Sequence, residues 1–138
     1  MMSRTQGSQD FGKALLRIVL GALILVHGIS KIIAGPGFVV QVVTQAGLPA
    51  QTAYLVYVGE VVAPILLIIG LWTRAAALII AINMVFALSL VHLKQLTEMA
   101  STGGWALELQ GMYLAGALAV ALLGAGRLSM GGIDGKWN

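Results

Sequence analysis

The sequence predicts an all-α fold, a polytopic membrane four-helix bundle with a short interfacial helix between the first and second spans. Three observations point there. Of the 138 residues, 59% are hydrophobic and only 9% are charged, and the mean hydropathy is +0.94, far more apolar than a soluble domain. The apolar residues fall into four long runs broken by glycine, proline or charge, each close to the ~20 residues that cross a bilayer as a helix. The eight Lys and Arg residues, although they bring the formal charge to +3, are dispersed along the flanks of these runs. Dispersed basic residues read as topology signals rather than as a nucleic-acid surface.

Residues 1–12 are polar and are expected to form a short mobile tail. The first run, 13–33, carries Arg17, His27, Gly28 and Lys31 and stops at Gly35-Pro36-Gly37. It is too long for the apolar core of a secretory signal and is read as a retained span. Residues 38–50, with Phe38, Val39, Val42, Val43 and Ala46 at near-helical spacing, are too short to cross. They predict a helix lying in the interface, or one that re-enters the bundle as a lid. The second span, 54–71, contains Glu60 and Pro64, and Trp72-Thr73-Arg74 turns the chain. The third, 75–93, holds Asn83 and ends near His92. A polar loop, 94–104, precedes the fourth span, 105–124, which has Glu108 in its first turn, and residues 127–138 form a second polar tail. The whole chain is thus one membrane domain. Arg4, Lys13, Arg17, Arg74, Arg127 and Lys136 fall on one side against Lys31 and Lys94 on the other, so both termini are expected in the cytoplasm. Arg17, Arg74 and Arg127 read as headgroup anchors there.

Glu60 is the residue that needs a reason. A carboxylate deep in a span costs about 2.5–3.5 kcal/mol and faces the bundle interior or a wet cavity. Pro64 removes the N–H that would bond the carbonyl of residue 60, leaving two acceptors close together. Helical rise puts His27 and Glu60 roughly 8–12 Å below the outer surface and Lys31, His92 and Glu108 roughly 0–6 Å below it. Lys31 follows His27 by four residues and Tyr57 precedes Glu60 by three, so each pair shares a helix face. The expectation is an outward-opening pocket, with His27 and Glu60 as the proton-transferring residues and Lys31, Tyr57, His92 and Glu108 as ligand-binding residues. A satisfied structural network built on Glu60 with Lys31 or His27 would explain the same pattern without any ligand.

The chain has no cysteine, which excludes a thiolate nucleophile, a disulfide relay and a Cys-ligated iron–sulfur cluster. Any redox role rests on a bound molecule. A quinone or phenolic ligand ranks first, its ring carbonyl accepting from His27, Lys31 or Tyr57 while Glu60 or a histidine moves the proton. A metal ranks second, because no Glu-x-x-His pair is present and a lysine would repel the cation. Haem ranks third, because His27 and His92 differ in depth by about a turn.

Arg17, Gly21, His27-Gly28, Lys31, Gly47-Leu48-Pro49, Glu60, the segment Gly70-Leu71-Trp72-Thr73-Arg74-Ala75-Ala76, Met84, His92, Glu108 and Gly124-Ala125-Gly126-Arg127-Leu128-Ser129 together resemble the DoxX family of small four-helix inner-membrane proteins. The resemblance runs from Arg17 to Ser129. The family commonly has glycines after the glutamate, where this chain has Ala63 and Pro64. The resemblance implies an inner-membrane location and a link to quinones, since members include or resemble the small membrane subunit of thiosulfate:quinone oxidoreductase and others are associated with quinone or catechol stress. If thiosulfate is the electron donor, Lys31 and the histidines bind it as cations. Two functions of different class follow. One is a quinone-linked oxidoreductase subunit; the other is a non-catalytic anchor or assembly partner for a redox enzyme. The expected partners are the lipid bilayer, a quinone or phenol, a redox-enzyme protein and a second copy of the chain, with no nucleic acid.

Overall fold

The computed structural model describes residues 3–138 and is built of helices without a named strand among them. The first helix, α1, runs Arg4–Ala34, so the polar N-terminal segment is helical from Arg4 onward rather than a mobile tail; Met1 and Met2 lie outside the described residues. Ser3 explains the early start. Its hydroxyl accepts from the Gln6 N–H at 3.2 Å and the Gln6 side chain accepts from the Ser3 N–H at 3.4 Å, a reciprocal cap that satisfies two otherwise orphaned donors. At ~1.5 Å per residue, α1 is about 46 Å long and outreaches a ~30 Å hydrocarbon core.

The short helix α2, Gly37–Gln45, buries Val39 and Val43, which pack with Ala53, Val56 and Leu90 in a small second core. Its apolar face is therefore turned to protein. The third helix, α3, covers Ala50–Ile69 and is irregular. It opens with a 3₁₀ turn, Ala50–Tyr54, and widens to a π turn over Val58–Val62 before Pro64. In that wide turn the Ala63 N–H reaches back five residues to the Val58 carbonyl. A proline ring collides with the carbonyl four residues before it, and the extra residue in the turn relieves this at Glu60. The fourth helix, α4, is Thr73–Leu90, and the fifth, α5, is Glu108–Leu123. Three helices, α1, α3 and α4, are long and apolar enough to cross a membrane; α5 is apolar but only 16 residues long. Helix α4 stops at Leu90, so His92 lies in the turn beyond it.

Helices α1, α3, α4 and α5 touch in a closed cycle, each against two neighbours, around a core that includes Leu20, Ile24, Leu67, Ile80, Tyr113 and Val120. Glycine sets the spacing between α1 and α3. A Cβ on Gly21 would lie 2.9 Å from the Pro64 carbonyl oxygen, and one on Gly28 would lie 2.7 Å from the Glu60 carbonyl carbon. The two are two turns apart on one face, so only bare backbone lets α1 approach this closely.

At the opposite end from Glu60, two arginines expected at lipid headgroups are engaged elsewhere. Arg17 is 2% exposed. Its guanidinium donates to the carbonyls of Leu67 at 2.9 Å, Ile68 at 2.6 Å and Ala125 at 3.3 Å, and to that of Leu128. Arg74 donates at 2.9 Å to the carbonyls of Ala121 and Leu122. Both close the C-terminal ends of helices, where four carbonyls lack helical partners and the dipole favours a cation. Arg127 is the more exposed of the three, 3.9 Å from the Asp10 carboxylate. The C-terminal segment completes this end. The Asn138 side chain accepts from the Thr73 N–H and hydroxyl, and its backbone carbonyl accepts from the Ala125 N–H at 2.7 Å.

Candidate functional site

The wide turn in α3 presents Glu60 to the interior, where the residue is 3% exposed. Its two carboxylate oxygens receive the Lys31 ammonium at 2.6 and 2.7 Å, and the Asn83 amide donates to the first at 3.2 Å. Three helices thus converge on one carboxylate. π turns of this kind are frequent at functional sites because they re-aim a side chain without ending the helix. Gly59 makes room for Asn83, since a Cβ there would lie 2.7 Å from two atoms of its side chain. The pair has unequal access to water, with the Lys31 side chain 34% and the Glu60 side chain 4% exposed. Tyr57, one turn before Glu60, donates its hydroxyl to the Lys31 carbonyl at 3.3 Å and so ties α3 to the C-terminal turn of α1.

His27, Lys31, Glu60 and His92 line a half-open cavity of about 110 Å³ together with Tyr113 and Gln110. Ile24, Met84, Ala87 and Leu109 supply its apolar wall. That volume is of the order of the ~150 Å³ cavity that takes up a benzene ring, so its scale is one six-membered ring. His27 stands edge-on to Tyr113, ring centroids 5.9 Å apart and planes at 78°. His92 is oriented by Gln95, whose side-chain oxygen is 2.8 Å from Nδ1. The Gln110 Oε1 is buried and has no hydrogen-bond partner. A buried acceptor without a donor costs about 1–3 kcal/mol, and a donor placed in the chamber would remove that cost.

Of the six site residues expected from sequence, four line the chamber. Tyr57 acts on the backbone beside it. Glu108 is exposed at the start of α5, next to Gly104, and does not reach it. The reason is helical phase. Glu108 and Gln110 are two residues apart and point in different directions, whereas Gln110 and Tyr113, three apart, share the inward face. The charge on α5 is the conspicuous signal in the sequence, whereas its face with Gln110 and Tyr113 is the one that lines the chamber. Asn83, in α4, makes an interhelical hydrogen bond to Glu60. Among the described residues no three His, Asp or Glu side chains cluster as a metal site.

The DoxX family profile matches residues 12–93, which include His27, Lys31, Tyr57, Glu60, Asn83 and His92 but not the α5 wall with Gln110 and Tyr113. The chain is 33% identical over 87 residues to the Bacillus subtilis protein named "Putative oxidoreductase CatD", covering 63% of this chain and 64% of that one. It is also 33% identical over 92 residues to an uncharacterized protein of Haemophilus influenzae, covering 66% of each. The matched stretch therefore spans a little less than two thirds of either relative. No solved structure matches. With a profile match over more than half of its length, the chain belongs to the DoxX family of membrane proteins.

Proposed function

We propose that this protein is the membrane subunit of a redox system, and that it binds the ring of a quinone or related phenol in the chamber beside Lys31 and Glu60. The observation that carries the reading is a buried carboxylate, held by Lys31 and Asn83, forming part of a ring-sized chamber with two histidines and a tyrosine. A ring carbonyl facing Lys31 or His27 is offered a donor, and a ring hydroxyl facing Gln110 Oε1 meets a free acceptor. Reducing a quinone to a quinol takes up two electrons and two protons. The protons pass through His27 and Glu60 and the electrons come from a partner redox protein, since the chain has no cysteine. The printed name of the Bacillus subtilis relative supports a redox role at the level of the family. The location that accompanies this reading is the inner membrane, with both termini cytoplasmic.

The test is equilibrium binding of a tail-less benzoquinone or catechol to the purified protein in lipid nanodiscs. Saturable binding that is lost in His27→Ala while far-UV circular dichroism is retained supports the proposal. No saturable binding refutes it. The Lys31, Glu60 and Asn83 cluster is satisfied within itself, and this favours a second reading, a non-catalytic anchor for a redox enzyme. An anchor keeps its partner's activity in His27→Ala, whereas a quinone site loses activity while the complex remains assembled.

A further inference from the structure

We infer that the ligand of the chamber is an amphiphile whose hydrocarbon chain, alkyl or isoprenoid, lies in the apolar groove between α3 and α4 under the edge of α2. This rests on the ring reading above and adds to it the class of molecule that carries the ring. Three cavities lie side by side and share walls. Lys31, Glu60 and Ala87 line not only the chamber but also a second cavity of about 70 Å³ beneath α2, where Val39 and Val42 face Phe86. That cavity shares Val43, Val56, Asn83, Phe86 and Leu90 with a groove of about 410 Å³. The ion pair thus stands between a small chamber that holds two histidines and a tyrosine and a larger apolar groove, with Ala87 beside it in the shared wall.

The groove exists because α3 is irregular. Its 3₁₀ opening and the π turn at Val58–Val62 displace α3 from a regular helical track, and Gly59 leaves the floor without a side chain. Ile79, Ile82 and Leu55 form the flanks. Polarity is concentrated at one place. Apart from Thr52, the only polar side chain in the groove is Asn83, whose amide is bonded to Glu60. A free phenol or a small anion would have no use for an apolar channel leading away from the site. A ring with a hydrocarbon chain matches both halves. In a bilayer the chain gains little from leaving water, because the lipid is as apolar as the groove. What the groove supplies is orientation, holding the ring at Glu60 by packing along the chain.

The test uses a benzoquinone bearing an alkyl chain with a diazirine near its end, photolysed with the protein in phosphatidylcholine nanodiscs. Labelling concentrated in residues 55–59 and 79–90, and displaced by excess tail-less benzoquinone, is the expected result. Ile82→Trp, which fills the groove away from the chamber, should reduce that labelling at least fivefold and leave tail-less benzoquinone binding unchanged. Labelling spread over the lipid-facing sides of α1 and α5 overturns the inference. So does equal groove labelling by a photoreactive fatty acid that benzoquinone fails to displace, which identifies a lipid-only groove. Binding of tail-less benzoquinone with unselective labelling overturns the chain alone, whereas failure of tail-less benzoquinone to bind overturns the ring reading and this inference with it.

Discussion

Removing Lys31 should be worse for the protein than removing both Lys31 and Glu60. In Lys31→Met the carboxylate of Glu60, with only 4% of its side chain exposed, keeps a single hydrogen bond, from Asn83 at 3.2 Å. Breaking a buried pair by deleting one partner costs about 3–5 kcal/mol. Because 34% of the Lys31 side chain reaches solvent, some of that charge pairing is already screened, and the expected loss is about 3 kcal/mol, at the low end. Glu60→Met leaves an ammonium able to turn outward and should cost about 1–2 kcal/mol, including the acceptor lost to Asn83. The double variant replaces an ion pair by apolar side chains of similar length, a change that is often close to neutral, so about 1 kcal/mol is expected. The cycle then gives a coupling of about 3–4 kcal/mol, at or slightly above the usual range for residues in contact. The assay is reversible unfolding in mixed micelles by increasing mole fraction of dodecyl sulfate, read by far-UV circular dichroism. Neutral interhelical hydrogen bonds in membranes average about 0.6 kcal/mol. A coupling at or below that value would refute the claim that this is a buried ion pair organising three helices.

Gly28→Leu should destabilise by about 1–3 kcal/mol, because its Cβ meets the Glu60 backbone at 2.7 Å rather than a movable side chain; the same micelle titration checks it, and ring binding should fall with it. Arg17→Met should cost at least about 3 kcal/mol by orphaning the carbonyls of Leu67, Ile68, Ala125 and Leu128. Arg17→Lys should recover less than half of that, because one ammonium lacks the planar fork that reaches them; wild-type stability in Arg17→Lys would count against the assignment. A cysteine introduced at Ser101 should react with a membrane-impermeant maleimide from the outer side of the membrane. Labelling only from the cytoplasm would overturn the proposed orientation.

The helical class and the four apolar elements were legible because hydrophobic runs and Gly-Pro breaks are local signals. So was the meeting of Glu60 with Lys31. A carboxylate in an apolar run needs a cation, and Lys31 was one of the basic residues assigned to the same side as Glu60. Partners chosen by three-dimensional packing were harder to see. Arg17 and Arg74 look like headgroup anchors in a linear reading, because the carbonyls they close belong to helix ends 50 and 47 residues away. Gln110 and Tyr113 were overlooked beside the charge of Glu108, which helical phase turns away. Pro64 announced that the backbone at Glu60 would be irregular. That the irregularity is a wide turn, packed against Gly28 of α1, is a matter of three-dimensional packing that the linear sequence does not display.

The stitching of residues 125–138 onto Arg17, Thr73 and Arg74 has a consequence for biosynthesis. Translation produces α1 well before this segment, yet Arg17 in α1 is one of the groups the segment engages. Until then the guanidinium and the last carbonyls of α3 are held by fewer bonds or by water. Helices can enter the bilayer one after another during synthesis, but the end of the assembly remote from Glu60 gains part of its hydrogen bonding only from residues that follow α5. A nascent chain that has inserted its helices but not docked this segment lacks these hydrogen bonds at its helix ends, and docking supplies them.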